Sequence, residues 1–234
     1  MLEIYLATSA LAEEGFEGKR TIEEARKANF DGVQLYLDPH YRDAEYREKV
    51  IEKLRESGLK LILHLPDTVE QADKEAAEAM VDAFPESRVL IHYIPTTSLP
   101  EISGTRVGWE NSHIGPLESV QRKHLEEVIN KVDEDGTFFV FDMGRLLYTP
   151  NEDVSPQETI DFIKNQLQEL NPQKDVIHLA DKKSWILKFR ECTCVLGDGV
   201  MKHFLEDIKN FKGAIVFEHE NLQMALDSLT IVHS

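Results

Sequence analysis

Several acidic and imidazole side chains stand just past short apolar runs of the chain. They are His64 after Leu59–Leu63, His92 after Arg88–Ile91, Glu110 after Arg106–Trp109 and Asp142 after Thr137–Phe141. His178 closes Asp175–Leu179 together with Asp181, and Glu218 follows Gly213–Phe217. Carboxylates and imidazoles can move protons near neutral pH, and they hold divalent cations. Taken singly, a carboxylate in such a place is more often a helix cap or a solvated turn residue, and His64 alone reads equally well as a hydrogen-bonded core histidine. Glu110, Asp142, His178 and Glu218 recur at equivalent places on four consecutive runs. If those runs converge, the concentrated negative charge requires a cation or protonation.

The elements that would position these residues alternate along the whole chain. Strand-like runs are Ile4–Thr8, Gly32–Leu37, Leu59–Leu65, Arg88–Tyr93, Arg106–Glu110, Thr137–Phe141, Asp175–Leu179 and Gly213–Phe217. Helical patterns lie between them. Thr21 with Glu24 and Thr68 with Gln71 predict capping boxes, and Ser155-Pro156 predicts a helix start. Further helices are expected over Asp43–Ser57, Leu117–Val132, Met201–Asn210 and Leu222–Leu229. The runs are apolar on both faces, as parallel strands covered by helices should be. Eight such units predict a single (β/α)8 TIM barrel, α/β in class, spanning residues 1–234 as one domain. One unit is defective. Residues 96–104 are too short and too broken by Pro100 for a covering helix, so the fourth helix is expected to be reduced or missing. Leu99 and Ile102 are the only apolar cover there, and a second copy of the chain is expected to pack on the strand 4–5 side as a homodimer.

Composition narrows the partners. The 234 residues carry a formal charge of −17, which repels a phosphate backbone, so no nucleic acid partner is expected. The basic cluster Lys182-Lys183…Lys188…Arg190 is enough for one anionic group. Cys192 and Cys194 form a lone C-x-C, read as two reduced thiols. No run is long enough to span a bilayer, and Met1–Tyr5 does not open a signal peptide. The expectation is a cytoplasmic protein without a membrane partner.

The runs Val107-Gly108-Trp109-Glu110-Asn111-Ser112, Phe141-Asp142-Met143-Gly144, Ile177-His178-Leu179-Ala180-Asp181, Gly197-Asp198-Gly199 and Ile215-Val216-Phe217-Glu218 resemble the xylose isomerase-like barrel superfamily. That group contains sugar and sugar-phosphate isomerases and epimerases and the AP endonucleases of family 2. The resemblance implies metal ligands Glu110, Asp142, His178 and Glu218, with Glu110 and Glu218 as the catalytic acid–base pair acting through an enediolate. Such a set suits Mn²⁺, Mg²⁺ or Co²⁺, with Zn²⁺ as a further candidate. It implies a metal-dependent enzyme of carbohydrate metabolism with a small sugar substrate. Asp181 reads as either an acid that orients a metal ligand from behind or a solvated turn acid.

Two departures stand out. Arg145 occupies the place of a strand-six histidine, and Gln34 that of the acid near strand two. No Asp-x-His pair occurs in residues 182–200, so a three-zinc cluster of the endonuclease kind is not expected, although His64 and His92 match its histidines. These two, with Arg145 and Lys182, are expected to bind substrate, and specificity is expected in loops 96–105, 144–155 and 182–199. An AP-endonuclease-like phosphodiester hydrolase and a non-catalytic binding barrel are the alternatives.

Overall fold

The computed structural model describes residues 1–95, 98–111, 118–146, 156–183 and 193–234. Ser112, Leu117, Ser155, Lys188, Arg190 and Cys192 lie outside them. The barrel strands are β1 (Glu3–Ala7), β2 (Gly32–Tyr36), β3 (Lys60–His64), β4 (Arg88–His92), β5 (Val107–Glu110), β6 (Phe139–Asp142), β7 (Val176–Leu179) and β8 (Ala214–Phe217). They pair in parallel, each with its sequence neighbours, and β8 closes on β1. The helices are α1 (Gly18–Ala28), α2 (Ala44–Ser57), α3 (Gln71–Ala83), α4 (Glu118–Asp135), α5 (Met143–Leu146), α6 (Pro156–Glu169), α7 (Leu205–Asn210) and α8 (Leu222–His233). No described helix is long and apolar enough to cross a membrane.

Period-two alternation divides the strand residues into two cores. Tyr5, Ala7, Ile62, Leu90, Phe138, Val140, Val176, Ala214 and Val216 form one cluster. The residues between them, such as Val33, Leu63, Ile91, Trp109, Phe141, Ile177 and Phe217, pack with the helices in the other. Side chains two apart on a strand share a face. His64 therefore follows Ile62 inward, as do His92 after Leu90, Asp142 after Val140, His178 after Val176 and Glu218 after Val216. Gly108, which weakens β5 as a sequence pattern, makes room there: a Cβ would lie 2.3 Å from the Phe138 ring.

α2, α6 and α8 start where the sequence predicts, whereas three other helix starts differ from the expectation. α1 begins a turn earlier than Thr21, because the Glu17 carboxylate accepts the Arg20 N–H while the Thr21 hydroxyl donates to the Glu17 carbonyl. α3 is capped by Glu70 and Asp73 rather than Thr68 and Gln71. Asp73 accepts the Glu70 N–H and is fixed by Arg42. The expected helix over Met201–Asn210 splits into a 3-10 turn, Val200–His203, and the six-residue α7.

No helix joins β4 to β5 among the described residues. Ile102 is only 5% exposed, and Ser103 is tied to Glu78 of α3 through both its N–H and its hydroxyl. The gap is thus closed from within the chain. The exposed large apolar side chains among the described residues are Met1 and Phe16, both elsewhere. Among the described residues, no large apolar side chain is exposed on the strand 4–5 side, where the homodimer was expected.

Candidate active site

At the C-terminal mouth of the barrel, the inward residues of β3, β4, β5, β7 and β8 converge on Glu110. This side chain is fully buried. Its Oε2 lies 3.1 Å from His64 Nε2, and its Oε1 lies 3.2 Å from His178 Nδ1 and 3.6 Å from His92 Nε2. His178 Nδ1 is also 3.2 Å from Glu218 Oε1. Two groups result whose ligand atoms lie within 4.8 Å of one another: Glu110, His178 and Glu218, and His64, His92 and Glu110.

The arrangement fits a divalent cation. Glu110 Oε1 and both His178 ring nitrogens are buried yet make no directed hydrogen bond. The Glu110 Oε1–His178 Nδ1 separation is that of an ion pair without the geometry of a hydrogen bond, and one ring nitrogen of His178 lies with Glu110 and Glu218 oxygens within 4.8 Å of one another. The second group is oriented from behind. A carbonyl can only accept, so the 2.8 Å contact of His64 Nδ1 with Leu65 O puts the proton on Nδ1 and turns Nε2 toward Glu110. His92 Nδ1 meets Asp67 Oδ1 at 2.6 Å, again leaving Nε2 inward. Carboxylate or carbonyl partners behind imidazoles are the usual support of metal-binding histidines.

The charges are mutually dependent. Burial opposes ionisation of Glu110, but His178 and His92 hold its pKa well below the ordinary value. Burial likewise opposes a charge on His178, and Glu110 and Glu218 overcome it and push its pKa well up. His92 is opposed by burial and raised to about 9 by Glu110 and Asp67. Protons on imidazoles thus balance the carboxylates, and a cation would displace them.

Asp142 belongs to neither group, although it is the register partner of His178. Its Oδ2 accepts from Arg145 Nε at 2.8 Å and its Oδ1 from the Arg145 backbone N–H at 3.2 Å. Burial lifts its carboxyl to about 6, against Arg145. Asp181 is neither a solvated turn acid nor a partner of a candidate ligand. It is fully buried, and its two oxygens accept the N–H groups of Lys182, Gly197, Gly199 and Met201. That clamp closes the loop above a two-stranded ribbon, Asp181–Lys182 with Thr193–Cys194. Lys182 is fully buried within it and does not line the cavity described next, whereas Lys183 is exposed.

A cavity of about 520 Å³ opens onto this centre, lined by Gln34, His64, His92, Arg145 and Glu218, with Thr8, Tyr36 and Phe16 at its sides. That volume lies in the usual range for small-molecule sites. Gln34 donates to Glu218 Oε1 at 2.8 Å and fixes it. Sequence reasoning noted Gln34 only as a departure and Asn111 only as a polar neighbour of Glu110 at the end of the fifth strand, and did not single out Asp67 or Phe16. Asn111 bridges β5 to β6, accepting the Asp142 N–H at 2.8 Å and donating to its carbonyl at 3.0 Å. Its place beside Glu110 was the only signal.

No protein-family model matches the chain, and no curated protein matches it. Solved structures do. A xylose isomerase domain protein from Planctomyces limnophilus superposes with a TM-score of 0.58 at 15% identity, covering 99% of this chain and 96% of that one. D-allulose 3-epimerase from Methylomonas sp., in complex with D-allulose, gives 0.55 at 14% identity, with 99% and 96% covered. The chain shares the closed (β/α)8 barrel fold of these proteins. SacUVDE shares it, with a TM-score of 0.56 at 10% identity and 100% and 98% covered.

Proposed function

We propose that the chain is a divalent-metal-dependent isomerase or epimerase of a sugar or related polyol. The observation that carries this reading is the convergence of Glu110, His178 and Glu218 beneath a cavity sized for a small molecule. Those three residues would hold the cation, with Mn²⁺, Mg²⁺ or Co²⁺ suited to the carboxylate-rich set and Zn²⁺ to the imidazole-rich one. When bound, the cation supplies Lewis acidity toward a carbonyl or hydroxyl oxygen. Glu218 reaches the cavity wall and is oriented by Gln34, so it takes the proton α to the carbonyl on one face, and the Glu110 side returns a proton on the other. Glu110 is sealed from the cavity and meets it through His64 and His92. In this reading it acts as the opposite proton donor only by way of those imidazoles.

The test is solvent exchange. The Mn²⁺-loaded protein is incubated in D₂O with a panel of ketoses and ketose phosphates. Deuterium should enter at the carbon beside the carbonyl, and Glu218→Gln should abolish it. A protein that binds metal and exchanges no substrate proton would refute the reading. A protein that binds no metal would instead be a binding barrel.

One observation favours a second reading, a phosphodiester hydrolase. The His64–His92–Glu110 group shares Glu110 with the first, which is the layout for a pair of cations flanking one displacement. Cleavage of an abasic duplex or of bis(p-nitrophenyl) phosphate, lost in His64→Ala, would decide for it.

A further inference from the structure

We infer that Arg145 is an internal competitor of the metal: its guanidinium holds Asp142 away from the cation site, and cation binding and the Asp142–Arg145 pair exclude one another. The inference rests on the metal-centre reading above.

Asp142 has the chemistry of a fourth ligand and the strand position of one, level with His178 on the adjacent strand. Its main chain cannot move to seek a partner, because Asn111 binds both its N–H and its carbonyl. Only side-chain rotation is open to it. At present both carboxylate oxygens are engaged by Arg145, one by the Nε–H and one by the backbone N–H. Arg145 follows β6 directly, on the single turn of α5, so the pair is local, three residues apart in the chain.

The guanidinium also lines the cavity with Glu218 and the two histidines. A dication brought to Glu110, His178 and Glu218 repels that charge and attracts the carboxylate it holds. If Asp142 turns to the cation, its ion pair with Arg145 breaks. Arg145 is then presented to the cavity with its donors released from Asp142, beside the bound substrate. A substrate bearing a carboxylate or phosphate would supply the replacement partner. Arg145 is thus a positioning residue for the metal and, once displaced, a reader of anionic substrate.

A double-mutant cycle on metal affinity tests this. Mn²⁺ binding is measured by calorimetry for the wild type, Asp142→Asn, Arg145→Gln and the double variant. Glutamine retains a donor for the buried carboxylate, and Arg145→Lys, which retains the charge, serves if the first variant does not fold. Arg145→Gln should tighten Mn²⁺. Asp142→Asn should cost less than about 3-fold in the wild type but about 10-fold or more beside Arg145→Gln, a coupling of the size found for contacting residues. With Arg145→Lys in its place, the penalty should fall between the two. Equal penalties in both backgrounds would overturn the inference. A second readout is the ¹⁵N-detected Nε–H resonance of Arg145, which should move on adding Mg²⁺. A resonance that stays while Mg²⁺ binds also overturns it. Absence of any metal binding would instead remove the metal-centre reading.

Discussion

At the residue scale, the site depends on which atoms are turned where. Asp67 and Leu65 fix the two histidines that face Glu110. Asp67→Asn should weaken cation binding at His64, His92 and Glu110 by about 10-fold, while leaving the Glu110–His178–Glu218 group nearly unchanged. A Co²⁺ titration followed by absorption would resolve the two steps. Phe16 is a different kind of residue. It is 40% exposed at the cavity edge, 6.5 Å from the Tyr36 ring, and held at φ 59, a conformation a bulky residue rarely adopts. Exposed and strained aromatics at a cavity mouth are candidates for ligand contact. Phe16→Ala should raise KM for the substrate while kcat changes little, and steady-state kinetics on the substrate found by exchange would show it. His124 is buried beside Tyr93, and its Nε2 makes no hydrogen bond. Burial depresses its pKa in the fold. The unfolded imidazole, near about 6.5, then takes its proton first as pH falls. The stability it permits is complete above that value and declines below it. Urea midpoints at pH 7.5 and 5.5 should differ less in His124→Leu than in the wild type.

At the scale of elements, strand ends were readable, and so were the starts of α2, α6 and α8 at Ala44, Pro156 and Leu222, whereas the caps of α1 and α3 were not. Apolar runs stop where the barrel's water-facing rim begins, so His64, His92, Glu110, Asp142, His178 and Glu218 could be placed by counting. Capping was missed because any of several nearby acids can take the same amide. Glu17 and Glu70 did so through contacts with α1 and with Arg42 that the sequence does not announce. Asp181 was misread for a related reason. Its partners are backbone amides 16 to 20 residues later, and a backbone amide has no letter in a sequence. Gly199 gives the complementary sign, since a Cβ there would stand 2.0 Å from the Lys182 carbonyl. Asp181→Asn would turn donor against donor at a buried site. It should lower stability by roughly 2–4 kcal/mol, read from urea unfolding, with the barrel's far-ultraviolet spectrum retained.

At the scale of the whole molecule, the fold class, the order of units and the weak unit between β4 and β5 were legible, because alternation of apolar periods covers the entire chain. The homodimer expected from that weak unit rested on a count of apolar residues. The count of apolar residues in the linking segment could not show that Ile102 would be buried against the barrel or that Ser103 would dock on Glu78. The expected outcome in light scattering is a single species near 26.8 kDa, unchanged on concentration. A mass that doubles at micromolar concentration would show an interface elsewhere on the surface.

Glu110 contributes oxygens to both groups of ligands. Two occupants of such a centre could not be independent tenants. The first would meet a carboxylate with its full charge, and the second would meet one already half neutralised, across a gap bridged by a single side chain. Filling would therefore be stepwise and unequal, and removing either occupant would tighten the hold on the one that stays. A chelator series should empty the centre in two separated stages, and Glu110→Gln should erase both stages together rather than one.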